Sequence, residues 1–265
     1  MSEAIGSPDV VIVGGGIVGC AAARELAPDH EVVVLERDTV AGGATGHASG
    51  LLSIVQDYDE EPELARYAVD FFREYDGTGS FRLTPRPCVG LVTPDEEADE
   101  RRRARRLADE GFDVTFREPS QLDADYPDAF VLDDFAGAVE SREGGWVDPY
   151  TLASTYRDEA AADGARFETG VAVEELHVDD GAVAGVRMQD GRVQADTIVC
   201  AAGWRTRDLV APHVELPTRP FRYQTVNLDP GRDLGDGFPI AWEHAHYLYW
   251  RPEHNGDLHV GGGTY

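Results

Sequence analysis

VVIVGGGIVGCAAARELA, residues 10–27, begins with four apolar residues, turns through three glycines and continues as an alanine-rich run. Val10 to Val13 has the continuous apolar character of a strand buried on both faces. Ile17 to Ala27 has the composition of a helix, and Pro28 ends it because proline cannot continue the hydrogen-bond ladder. Glu31 to Leu35 supplies the next strand, so residues 10–36 form a βαβ start. Gly14-Gly15-Gly16-Ile17-Val18-Gly19 fits the pattern G-x-G-x-x-G, and its place between a strand and a helix gives it meaning. In that context Gly14 permits the tight turn, Gly16 lets a pyrophosphate reach the backbone, and Gly19 lets helix and strand pack closely. The helix start then offers N–H groups and a positive dipole end to phosphate oxygens. Glu36 follows Gly16 by twenty residues, where a carboxylate accepts hydrogen bonds from a ribose diol and disfavours a 2′-phosphate.

The surrounding sequence bounds the rest. The chain has 265 residues, 42% of them hydrophobic, enough for one large or two modest domains. No run of 18 apolar residues occurs, so no membrane-spanning helix is expected. The segment Met1 to Pro8 lacks the basic start and apolar stretch of a secretory signal, which points to the cytoplasm. Fifty acidic residues against 23 basic ones give a net charge of −27, and every strong base is arginine. A lysine-free acidic surface suits a halophilic protein, since concentrated salt screens its self-repulsion. The same field repels nucleic acid and anionic membranes. The Arg101 to Arg106 cluster is read as a solvated helix face, with Glu97/Arg101 and Asp99/Arg103 at i,i+4 spacing. Cys20, Cys88 and Cys200 lack metal or disulfide spacing and are read as structural, and no metal site is expected.

Further along, Glu63 to Tyr75 and Asp95 to Glu110 have helical spacing, and Phe81 to Thr93 is β-rich. Asp148-Pro149 is a helix start, with a capping carboxylate and then proline in the first turn, and Gly164 marks its end. Val171–His177, Val183–Met188 and Arg192–Ala195 read as strands joined by Asp-Gly turns. Ile198–Ala201 is an apolar strand running into Ala202-Gly203-Trp204. Tyr223–Leu228, Ala245–Trp250 and Leu258–Val260 complete the expected strands.

The fingerprint does not choose between FAD and NAD. Two other segments favour FAD. Gly43, Ala44, Thr45, His47, Ala48, Ser49, Gly50 and Leu51 could bring small residues and hydroxyls against the pyrophosphate and flavin. Ala201, Ala202, Gly203 and Trp204 offer a second close backbone approach. VVIVGGGIVGCAAARELA, VVVLER (ending at Arg37), GGATGHASGLL, GGWVDPYTL, ADTIVCAAGW and RPEHNGDLHVGGG occur in order over nearly the whole chain. On these pieces the sequence resembles the D-amino-acid-oxidase-like FAD-dependent oxidoreductases, which include glycine oxidase, sarcosine oxidase and dimethylglycine dehydrogenase.

The resemblance implies an α/β fold: a Rossmann-type FAD-binding domain with a parallel sheet, interleaved with a mostly antiparallel β-sheet substrate domain. The first would take residues 1–75 and 145–211, the second 76–144 and 212–265. It implies that Val171 or Val173 contacts the adenine side of FAD. It also implies oxidation of a small amine or amino acid, by hydride transfer from the α-carbon to flavin and hydrolysis of the imine. Another FAD reaction, on glycerol 3-phosphate or a 2-hydroxy acid, and an inactive flavin-binding fragment stay open as alternatives. In the dimethylglycine and sarcosine dehydrogenase branch a histidine in the setting G-S-T-W-H-A-A-G-L carries flavin covalently. Gly43 to Leu51 matches that setting around His47, with Gly46 at the tryptophan's place. Covalent attachment, non-covalent contact and no flavin role are all open for His47.

Substrate carboxylates in such proteins are held by tyrosine and arginine, which points to Tyr247, Tyr249, Arg222 and Arg251. Alternation along the expected strand Ala245–Trp250 would put Tyr247 and Tyr249 on one face. Sarcosine-oxidase-like members use a lysine to activate oxygen. This chain has none, so its electrons pass to oxygen by another route or to a different acceptor. Members of the family also continue for roughly a hundred residues more, so a truncated C-terminus is expected.

Overall fold

The computed structural model describes residues 5–262. Two compact units alternate along the chain: Met1–Ala48, Thr78–Arg82 and Asp148–Phe221 in the first, Ser49–Gly77, Leu83–Val147 and Arg222–Tyr265 in the second. The segment Ser49–Gly77 therefore groups with the second unit.

In the first unit four parallel strands lie in the order Thr197–Cys200, Val10–Val13, Val32–Glu36, Arg166–Thr169. The two central strands are apolar on both faces for a visible reason. Val11, Val13, Val33 and Leu35 face a cluster with Val171, Val186, Met188 and Val193. Their neighbours Val10, Ile12, Val32 and Val34 face Ala23, Ala27, Ala160 and Ala165. The period of two sends alternate side chains to opposite layers, and each burial removes apolar surface worth about 1.5–3 kcal/mol from water. One layer is the helix pair Ile17–Leu26 and Pro149–Ala162, tied by Arg24 donating to Glu159 at 2.6 Å. The other is an antiparallel meander of Val173–Asp179, Ala182–Met188 and Gly191–Gln194. Asp148 caps its helix as the sequence indicates, accepting from the backbone N–H groups of Tyr150 (2.8 Å) and Thr151 (3.4 Å).

The second unit is built on a seven-stranded sheet in the order Gln224–Leu228, Leu258–Gly262, Leu248–Pro252, Ile240–Glu243, Cys88–Val92, Gly137–Ser141, Val114–Arg117. Its pairings are antiparallel except that of Ile240–Glu243 with Cys88–Val92. Helices Pro62–Tyr75 and Glu97–Asp109 bury Val69, Ala104 and Leu107 in one cluster with Val92, Val114 and Val139. A small sheet joins Leu51–Leu52, Gly145–Val147 and Leu83–Pro85.

Three expectations need correction. The strand expected at Ala245–Trp250 starts at Leu248. Residues 244–247 turn instead: the His246 N–H donates to Glu243 Oε2 at 2.8 Å, and Tyr247 takes the left-handed region at φ 57°. Strands at Arg166–Thr169 and Ile240–Glu243 were not anticipated. Of the two helical ion pairs, Glu97–Arg101 forms at 2.8 Å, whereas Arg103 turns to Asp59 at 2.8 Å and Asp99 pairs with Arg102. The final glycine of the Gly261-Gly262-Gly263 run lies outside the described residues.

Candidate nucleotide cleft

An open cleft of about 630 Å³ lies in the first unit, at the carboxyl ends of its parallel strands. Val13, Gly14 and Leu35 form its floor, and the start of the helix Ile17–Leu26 faces it through Gly16, Ile17 and Val18. Two glycines of the fingerprint are required by contact. Gly14 has φ 106°, and a Cβ there would lie 2.5 Å from the Ala201 carbonyl oxygen. At Gly19, a Cβ would lie 1.9 Å from the Gly14 carbonyl oxygen. Gly19 thus lies behind the cleft, where it fixes how closely helix and turn approach.

Thr45 Oγ1 accepts from the Ile17 N–H at 3.0 Å and satisfies one donor of the helix start. The other first-turn N–H groups lack intrahelical partners by helix geometry and are available to an anion. Glu36 braces the turn from the second strand. Its Oε2 accepts from the Gly15 N–H at 2.7 Å, and its Oε1 accepts from the Asp38 N–H at 2.8 Å. The remaining lone pairs of this carboxylate can accept from a diol.

Arg37, Gly43, Ala44 and Thr45 line one side, with Arg37 also paired to Asp38 at 2.9 Å. Val171 and Val173 line another, and Ala201, Ala202, Gly203 and Trp204 close a third. Sequence reasoning missed Arg205, a lining residue whose guanidinium lies 3.9 Å from the centre of the Trp204 ring. Arginine directly after the recognised piece ADTIVCAAGW was the available signal. Asp208 and Leu209 also line the cleft and had no signal.

His47 and Ala48 belong to the first unit but do not line the cleft; both are exposed, His47 ending the 3-10 turn Ala44–His47. At Gly46 a Cβ would lie 2.6 Å from the Ala41 carbonyl oxygen, so this turn has no room for the tryptophan of the related setting. Ser49, Gly50 and Leu51 fall in the second unit.

The amino acids named for substrate binding are all in the second unit, in different settings. Tyr247 is exposed in its turn and does not share a strand face with Tyr249. Arg222 is exposed ahead of the strand Gln224–Leu228. Tyr249 is half-buried and hydrogen-bonds Ser49 Oγ at 2.7 Å. Arg251 was expected to present its fork to a carboxylate, but it is buried and faces internal acceptors. Its Nε donates to the Ser49 carbonyl at 2.7 Å, its Nη1 pairs with Glu253 at 3.0 Å, and its guanidinium stacks 3.9 Å from the Trp146 ring centre. Burial pushes the thiols of Cys20 and Cys88 up to about 12, so neither is a nucleophile at neutral pH.

A model of the DAO family, described as FAD dependent oxidoreductase, matches residues 9–265. The chain belongs to this family. The cofactor of the DAO family is FAD, and the cleft fits its dinucleotide part: Gly14 and Gly16 leave the backbone bare, the helix start supplies N–H donors and Glu36 supplies the acceptor. Relatives in the family include 4-methylaminobutanoate oxidase (formaldehyde-forming) of Paenarthrobacter nicotinovorans, 26% identical over 90% of this chain and 31% of that protein. Mitochondrial sarcosine dehydrogenase of Homo sapiens is 29% identical over 96% of this chain and 29% of that protein. The chain thus spans about a third of the length of these relatives. Among solved structures, L-proline dehydrogenase from P. horikoshii superposes with a TM-score of 0.84 at 20% identity, covering 98% of this chain and 70% of the other. That likeness establishes the fold: mixed α/β, with one parallel sheet and otherwise mostly antiparallel sheets. Among the described residues no helix is long and apolar enough to cross a membrane.

Proposed function

We propose that the chain is the flavin-binding and substrate-binding part of an enzyme that oxidises a small amine or amino acid at its carbon–nitrogen bond. The observation that carries this reading is the cleft of the first unit, with Glu36 beside bare backbone and a helix start, in a chain of the DAO family. The names of two relatives, one oxidising 4-methylaminobutanoate and one sarcosine, support an N-methylated amino acid as substrate. When bound, FAD supplies the acceptor for a hydride leaving the amine α-carbon, and water hydrolyses the imine. The chain's own groups hold the dinucleotide, orient the amine and accept protons. Electrons then pass to oxygen or another soluble acceptor. The acidic, lysine-free surface supports work in concentrated salt.

Anaerobic titration in strong brine with sarcosine, 4-methylaminobutanoate, glycine and D-alanine tests the reading. At least one amine is expected to bleach the flavin absorbance. Bleaching by glycerol 3-phosphate or lactate alone would replace the amine by an alcohol substrate.

The role of His47 is open to a simple measurement. If its imidazole carries flavin covalently, acid precipitation leaves a yellow pellet and His47→Ala leaves a white one. A white pellet from the unaltered chain removes the covalent role.

A further inference from the structure

The diphosphate of FAD is a dianion, and here it must enter a chain with a net charge of −27. The walls of the cleft add to that field. Four carboxylates line it, those of Glu36, Asp38, Glu174 and Asp208, against the two guanidiniums of Arg37 and Arg205. The start of the helix Ile17–Leu26 offsets only part of this, since a helix end carries the equivalent of about half a positive charge. Arg37 is already neutralised by Asp38 at 2.9 Å. That leaves Arg205.

The local structure keeps Arg205 available. Gly203 takes φ 59°, a left-handed turn open to glycine, and starts the 3-10 helix Gly203–Arg205, where the Arg205 N–H donates to the Ala202 carbonyl at 3.2 Å. Ala201 and Ala202 are the backbone that a Cβ at Gly14 would meet, at 2.5 and 3.0 Å, so this turn stands beside the fingerprint loop. Asp208 lies three residues on, a spacing at which helical ion pairs form, yet no carboxylate pairs with Arg205 among the described residues. The guanidinium instead lies 3.9 Å from the centre of the Trp204 ring, a side chain 54% exposed. A ring face attracts a cation through its quadrupole without neutralising it. The stack therefore fixes the guanidinium and leaves both its charge and its N–H fork for phosphate oxygens.

We propose that Arg205 is the counter-charge of the FAD diphosphate in this acidic cleft, with Trp204 as the platform that holds its guanidinium in place. The inference rests on the cleft being the dinucleotide site. Arg205 is the binding residue of this scheme; Trp204 is a positioning residue that acts through it. Lysine at 205 would keep the charge but lose the planar fork and stack less well.

Two measurements on the full chain in strong brine test it. By flavin fluorescence quenching, Arg205→Gln is expected to bind FAD about 10- to 100-fold more weakly, the range for losing a hydrogen bond to a charged group. Arg205→Lys should recover part of that loss. Trp204→Leu is expected to weaken binding by about 3- to 10-fold, and the double variant should bind no more weakly than Arg205→Gln alone. In ³¹P spectra of the protein saturated with FAD, the two diphosphate resonances are expected to move between the unaltered chain and Arg205→Gln, with far-UV circular dichroism unchanged. Affinity within twofold in Arg205→Gln, equal losses for glutamine and lysine, or unmoved phosphorus resonances would each overturn the counter-charge. Additive losses at 204 and 205 would overturn the platform. An unaltered chain that binds no FAD removes the dinucleotide cleft and this inference together, whereas tight binding by both the unaltered chain and Arg205→Gln removes the role of Arg205 alone.

Discussion

Gly19→Ala is expected to weaken FAD binding by about 100-fold or more, the largest effect of any single methyl group in the cleft's surroundings. The added carbon would lie 1.9 Å from the Gly14 carbonyl oxygen, and that atom is backbone, so no side chain can swing aside. Either the helix start lifts from the turn or the turn is pushed towards Ala201, whose carbonyl already closes on Gly14. Both movements spoil the alignment of the N–H groups that an anion would meet. Secondary structure should survive, because the helix from Ile17 to Leu26 stays anchored through Cys20 and Ala23, both fully buried. Flavin fluorescence quenching measures the loss, and far-UV circular dichroism checks the fold. Gly237→Ala, at a glycine with nothing within 4 Å of its Cβ position, is the control and should bind as the unaltered chain does. Tight flavin binding by Gly19→Ala would show that the cleft does not hold the dinucleotide.

The parts of this architecture written most plainly in the sequence are those whose signals are local. Val10–Val13 is apolar throughout, and Val32–Glu36 at every position but its last, because both faces are covered, and the intervening glycines announce the turn. Asp148 followed by Pro149 fixes a helix start from two adjacent residues. What stayed hidden depends on partners far along the chain. Ile240–Glu243 is a strand because it lies parallel to Cys88–Val92, about 150 residues away, and four residues carry no periodicity of their own. The turn before Leu248 is made by the Glu243 side chain and a left-handed Tyr247, with no glycine or proline to mark it. That misplaced Tyr247 on a strand, and with it the idea of two tyrosines sharing a face. At the cleft, the glycines, Glu36 and the Ala201–Trp204 segment were legible as a set. The engagement of Ser49 by Tyr249, His259 and Arg251 was not, since nothing around position 49 points to residues two hundred places on.

Glu36→Gln is expected to lower FAD affinity by about 10- to 100-fold, although the two side chains have nearly the same shape. Both oxygens of the carboxylate are already acceptors, from the N–H groups of Gly15 and Asp38. Glutamine has one oxygen, so its amide nitrogen must face one of those N–H donors and repel it. Losing a hydrogen bond to a charged group costs about 1.5–3 kcal/mol, and here the loss falls on the turn that shapes the cleft. A ribose diol would lose an acceptor as well. The two losses separate by measurement. Bracing of the turn exists without ligand, so the flavin-free variant should melt about 3–8 °C lower, following the usual scaling for a domain of this size. The ribose contact exists only in the complex, so the fall in affinity should exceed what loop destabilisation explains, and Glu36→Ala, which repels nothing, should lose less stability yet as much affinity. If Glu36→Gln lowers the melting temperature but binds FAD as before, the carboxylate only braces the turn. The ribose would then have to find its acceptor elsewhere on the cleft wall, with Asp38 the nearest carboxylate in sequence.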